Sequence, residues 1–137
     1  ASTAAPVIAT PTTTKLYRKF VLPEFTFEFG KYTISDAGKS VLTDIANELS
    51  ADDKWFVVRL DGHTDSTGPE EYNDKLSLQR AIEYAVYLIE HENVDAGRVF
   101  VTGFGEFSPL ASNTTPEGRT LNRRVEVLLL VRSESGG

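Results

Sequence analysis

The run WFVVRLD, Trp55 to Asp61, constrains this chain more than any other stretch. It is largely apolar rather than alternating, so it reads as a strand interior to a sheet. A strand in that position needs neighbours beside it and helices over it, and the flanking sequence supplies both. Upstream, ISDAGKSVLTDIANELSA carries Val41, Leu42, Ile45, Ala46 and Leu49 on one helical stripe, with Ser35 or Asp36 as its cap. Downstream, a second helix is expected with Ser77 as cap and Leu78, Ala81, Ile82, Ala85, Leu88 and Ile89 facing inward.

The remaining elements follow the same periodicities. In KFVLPEFTFEFG the alternation of Phe25, Phe27 and Phe29 predicts a half-buried strand ended by Gly30. Asp95 and Gly97 turn the chain into the strand RVFVTG, and GFGEFSPLASNTTPEG is a long loop. TPEGRTLNRR opens with a Thr-Pro-Glu helix entry, and RVEVLLLVR is a final strand. The order β-α-β-α-β-(short α)-β predicts an α/β domain with helices packed on one sheet. The βαβ crossovers make part of that sheet parallel.

Composition narrows the function classes. A net charge of -6 repels nucleic acid and anionic membranes, although Arg119, Arg123 and Arg124 form a local basic cluster. The absence of cysteine removes disulfides, thiol catalysis and cysteine zinc sites. No apolar run approaches membrane-spanning length. Residues 1–14, Ala/Thr/Pro-rich, are expected to be a flexible linker, 15–132 a single domain, and 133–137 a disordered tail. The start of the chain looks like the cut edge of a larger protein, with any membrane segment lying upstream.

Chemistry concentrates in the polar loop from Gly62 to Asn73, which joins the interior strand to the second helix. Asp65 lies in the loop and Arg80 near the first turn of that helix, where a cation opposes the helix dipole. Two readings stand. Asp65 and Arg80 form a structural salt bridge, or they are separate jaws, one for an ammonium and one for a carboxylate. On the residues alone the salt bridge is the simpler.

The strings GHTDSTGPEEYNDKLSLQRA (Gly62–Ala81), GFGEFSPLASN (Gly103–Asn113) and EGRTLNRRVEV (Glu117–Val127) together resemble the OmpA-like peptidoglycan-binding family. The resemblance runs from about Phe25 to Val131. It implies the OmpA-like fold, a mixed parallel and antiparallel sheet, and non-covalent binding of peptidoglycan through the meso-diaminopimelate of the stem peptide. In the family's pattern Asp65 and Arg80 hold that residue's ammonium and carboxylate, with Thr64, Asn73 and Leu76 lining the site. The loop after the first strand, Phe29, Gly30 and Lys31, adds contacts; many members carry Asp or Asn where Gly30 stands. Arg124 borders the pocket or pairs with acidic groups. The implied setting is the periplasm, with a tether to the outer or the inner membrane through a region upstream and with no cofactor.

Other chemistries are weaker. Asp61, His63, Asp65 and Ser66 invite a hydrolase reading, but neither an oxyanion hole nor a nucleophile elbow is recognisable. The D-x-H-x-D-x-T-G string has Ser66 where a calcium loop needs glycine. His63 and His91 are too isolated to suggest zinc. Gly103 and Gly105 read as a turn rather than a phosphate loop. A protein-interaction module, docking a partner or a second copy through the Phe104–Pro116 loop or an exposed helix, is the alternative. GEFSPLASN followed by TPEGRTLNRR leans to the stator branch of the family, and the GHTDSTG loop to the outer-membrane branch.

Overall fold

A computed structural model describes residues 13–28 and 31–133. The elements are β1 (Thr14–Pro23), a 3₁₀ turn (Glu24–Thr26), α1 (Asp36–Ala51), β2 (Val57–His63), α2 (Glu70–Glu92), a second 3₁₀ turn (Ala96–Arg98), β3 (Val99–Gly103), α3 (Pro116–Asn122) and β4 (Arg124–Arg132). The sheet order is β1-β4-β2-β3. β4 runs antiparallel to both β1 and β2, while β2 and β3 are parallel across the α2 crossover. β2 therefore lies inside a mixed sheet, as its apolar run requires.

One face of the sheet presents Val58, Leu60, Val125, Val127 and Leu129 to the core, where Leu42, Ile45 and Leu49 of α1 and Ala81, Tyr84 and Leu88 of α2 close over them. The alternate residues point away from the helices and are mostly polar. There Asp61 stands opposite Glu126 and His63 opposite Arg124 across the β2–β4 ladder. Arg59 grips the Asp61 carboxylate through two hydrogen bonds of 2.9 and 2.8 Å, and Arg124 Nε donates to Glu126 at 2.7 Å.

Three expectations need correction. The strand anticipated at Phe25–Phe29 lies upstream, at Thr14–Pro23. Pro23 has no N–H to continue a ladder, and the Thr26 hydroxyl donates to the Pro23 carbonyl at 2.6 Å, so the chain turns instead. Phe25 is accordingly 64% exposed and Phe27 buried, and Phe27 makes only an isolated bridge to Ile34. Second, α2 begins at Glu70, not near Ser77; Glu70 and Glu71 supply the first-turn negative charge that suits a helix start. Ser77 is thus interior to the helix, and its hydroxyl accepts from Gly105 N–H at 2.9 Å. Third, Leu78 is exposed; the buried stripe instead begins with polar residues, Asn73, Ser77 and Arg80, before turning apolar. Ser35 does cap α1, accepting from Gly38 N–H at 3.1 Å, and Thr115 caps α3. Phe29 and Gly30, residues 1–12 and residues 134–137 lie outside the described residues.

Gly62 fixes how closely α2 approaches β2. A Cβ at that position would lie 1.9 Å from the Ser77 carbonyl oxygen, so backbone would have to move. Gly62→Ala is expected to lower stability by about 2 kcal/mol, a typical overpacking cost. An unchanged midpoint in urea unfolding would contradict this close contact.

Candidate functional site

The site forms where β1 and β2 end and α2 passes beneath them. Three local devices hold its loops. Thr64 N–H donates to the Gly105 carbonyl at 2.8 Å and Phe104 N–H to the Gly62 carbonyl at 2.9 Å, so the loops after β2 and β3 continue side by side. The Asn73 amide donates to the carbonyls of Asp65 and Thr67, at 3.3 and 3.0 Å, and to Glu106 at 3.2 Å. Asn122, fully buried, accepts from Leu110 and Ala111 N–H and donates to the Ala111 carbonyl and Asn113. Nothing in the pattern of apolar residues marks Asn122; its single signal is an asparagine at the end of a helix-entry string.

Arg80 lies ten residues into α2, so the helix dipole does not act on it as a first-turn residue. Its side chain is 3% exposed. The guanidinium lies 4.9 Å from the ring centre of Phe27, which stacks in turn on Tyr84 at 4.6 Å. Arg80 Nε donates to the Lys31 carbonyl at 2.9 Å. One terminal nitrogen stands 3.5 Å from Glu24 Oε2, close enough for ionic attraction, but it has no hydrogen bond among the described residues. Burial draws the guanidinium below the usual arginine range, and the Glu24 carboxylate opposes that shift.

Asp65 is the second buried charge. Burial alone would raise its carboxyl, but the Thr67 N–H at 2.8 Å and the Arg123 guanidinium at 2.5 Å hold it below the ordinary carboxylate value. Arg123 also donates through Nε to Glu24 at 2.6 Å. Asp65 and Arg80 therefore do not form the simple salt bridge considered from the sequence. Charges alternate along a chain: Asp65, Arg123, Glu24, Arg80. The two ends are buried, while Arg123 and Glu24 are 29% and 25% exposed and lie at the rim.

Of the residues named from the sequence, Thr64, Asp65, Asn73 and Arg80 are buried around this cleft. Leu76, half-buried, lines an adjoining groove. Lys31 contributes its carbonyl. Arg124 turns to the outer face of the sheet, bonding Glu126, the Asn122 carbonyl and the Ser108 carbonyl; its neighbour Arg123 meets Asp65. Glu24 carried no sequence signal, since its role depends on the turn that Pro23 begins. Phe29 and Gly30 lie outside the described residues.

Asp61, His63 and Glu126 also bring three potential metal-ligand atoms within 4.8 Å of one another. Both carboxylates already face cations, Arg59 for Asp61 and Arg124 and Lys19 for Glu126. A divalent ion would add positive charge to a neutralised network, which fits poorly. His63 is buried, stacks on Phe104 at 5.0 Å, and neither ring nitrogen has a hydrogen bond among the described residues. Burial, helped by the Arg124 charge, lowers its pKa from 6.5 to about 4.

The sequence profile of the OmpA family matches residues 26–123. Outer membrane protein A of Bordetella avium is 41% identical over 74% of this chain and 51% of its own length. Peptidoglycan-binding protein ArfA of Mycobacterium bovis is 41% identical over 68% of this chain and 28% of its own length. Among solved structures, the cell wall anchor of the type VI secretion system of Pseudomonas aeruginosa superposes with a TM-score of 0.73 at 30% identity. It covers 83% of this chain and 81% of that one. The fold and site define a small mixed α/β module with a charged cleft at one pole. The chain belongs to the OmpA family, and it spans about half or less of these two curated relatives.

The His63 environment makes a separate prediction. Its folded pKa lies below the unfolded value, so the stabilisation is fully present above pH 6.5 and is lost as pH falls toward 4. Unfolding free energy should drop by roughly 2 kcal/mol across that window, and His63→Gln should remove most of the slope. A slope identical in the variant would contradict the burial of a neutral imidazole.

Proposed function

We propose that this domain binds peptidoglycan without cutting it and anchors an envelope protein to the wall, by holding the meso-diaminopimelate of the stem peptide. The observation that carries this reading is the pair of buried, opposite charges, Asp65 and Arg80, each met by a partner at the rim. Glu24 and Arg123, joined at 2.6 Å, themselves resemble a zwitterion spanning the cleft. A free amino acid end would take their places, its carboxylate at Arg80 and its ammonium at Asp65, without changing the total charge. A wall peptide ending in lysine lacks the extra carboxylate and would leave Arg80 with Glu24 alone, which gives selectivity.

Catalysis is the poorer reading. Neither His63 ring nitrogen has a hydrogen-bond partner among the described residues, and Asp61 is engaged by Arg59. ArfA is named for peptidoglycan binding and the Pseudomonas structure is that of a cell wall anchor, which supports attachment as the role. The proposed setting is the periplasm, with a tether to the outer membrane and an inner-membrane tether as the alternative. No helix among the described residues is long and apolar enough to cross a membrane. Affinity per site is modest, and firm attachment comes from many copies facing one polymer. A second reading, docking of a partner protein or a second copy, has the exposed Phe107 and Leu110 of the long loop in its favour.

The purified domain is expected to co-sediment with diaminopimelate-type sacculi and to release no muropeptides. Asp65→Ala and Arg80→Ala should each weaken binding at least about tenfold, the scale of one lost charge-assisted hydrogen bond. Arg80→Lys, which keeps the charge but not the planar fork, should bind weakly while remaining folded. Undiminished sedimentation in all three folded variants would sink the clamp.

A further inference from the structure

A groove of about 460 Å³ runs alongside the clamp, between α2 and the segment 31–33. Its helical wall is Tyr72, Lys75, Leu76 and Gln79, spaced i, i+3, i+4 and i+7, and the next residue on α2 is Arg80. The opposite wall is Lys31, Tyr32 and Thr33, and the Lys31 carbonyl is bound by Arg80 Nε at 2.9 Å. Groove and clamp therefore share both the helix and the loop.

The lining is unusual for this protein. The chain has 20 acidic residues against 14 lysines and arginines, yet the groove contains two lysines and no carboxylate. Neither Lys31 nor Lys75 has an ion-pair partner among the described residues. Tyr32 and Tyr72 are 45% and 55% exposed and give the walls apolar area. A neutral sugar carries no charge for the two lysines to pair with. Cations on apolar walls suit instead an extended peptide bearing carboxylates.

We propose that this groove is a second subsite that takes the acidic peptide flanking the residue held by the clamp. The proposal rests on the clamp reading and extends it. From Tyr72 to Gln79 the helix rises about 10 Å, room for roughly three extended residues. The lysines attract a carboxylate one or two residues from the clamped end, while the tyrosine rings cover the peptide's aliphatic parts. The clamp sets which amino acid is held, and the groove sets which sequence around it is preferred.

The test compares two soluble probes by calorimetry on the intact chain: free meso-diaminopimelate, and the tripeptide alanyl-γ-glutamyl-diaminopimelate. The tripeptide should bind about fivefold or more tighter, a gain of the size exposed ion pairs provide. The double variant Lys31→Gln/Lys75→Gln should lose that gain and keep its affinity for the free amino acid within twofold. Amidating the glutamyl carboxylate should reproduce the loss on the unaltered protein. If diaminopimelate binds but the double variant leaves the tripeptide unaffected, the groove proposal is overturned and the clamp survives. If neither probe binds, both fall together.

Discussion

The structure is organised around a buried guanidinium. Arg80 sits in the middle of α2 with its side chain almost wholly removed from water, where an uncompensated charge costs several kcal/mol. Each neighbouring feature answers to it. Phe27 presents its ring face to the cation, and that ring is positioned by stacking on Tyr84, one turn further along the same helix. The Lys31 carbonyl and the Glu24 carboxylate come from either side of the segment that follows β1. Thr26 ties that segment to Tyr84 through their hydroxyls. The residues after β1 are therefore folded against α2 by the need to satisfy one cation.

The same logic extends to Asp65. Its loop is held by Asn73 from below and by the continued pairing with the Gly105 segment from beside, so the carboxylate has little freedom to escape burial. Arg123 then neutralises it, and Glu24 completes a chain of alternating charges. Such an arrangement balances its charges without ligand, while one Arg80 nitrogen keeps no hydrogen bond among the described residues. It also suits exchange, because the two rim members are held less deeply than the two they cover.

Much of this was legible in the sequence. The interior strand, both main helices, the parallel crossover and the Thr115 helix entry followed from periodicity and caps, and RVEVLLLVR coincides with β4. The first strand is harder to place: three alternating phenylalanines point to Phe25–Phe29, but the missing N–H of Pro23 ends the ladder before them. The start of α2 is hidden because GPEEYND has the composition of a polar loop, although Glu70 and Glu71 are good first-turn residues. Motif resemblance names Asp65 and Arg80, and both are buried at the candidate cleft. Their immediate partners were not recoverable: Glu24 is far away in sequence, and choosing between Arg123 and Arg124 requires knowing where the β4 alternation begins. Arg123 lies just before β4 and faces the cleft; Arg124 begins it and faces the outer side.

In the clamp we propose, a zwitterionic ligand takes over the two buried charges from Glu24 and Arg123. A crystal structure of the domain with meso-diaminopimelate tests it most directly. The ligand carboxylate is expected on the Arg80 guanidinium and its ammonium on Asp65, with Glu24 and Arg123 moved off those two groups. A ligand bound elsewhere, with the Asp65–Arg123 and Glu24–Arg80 contacts intact, would contradict it.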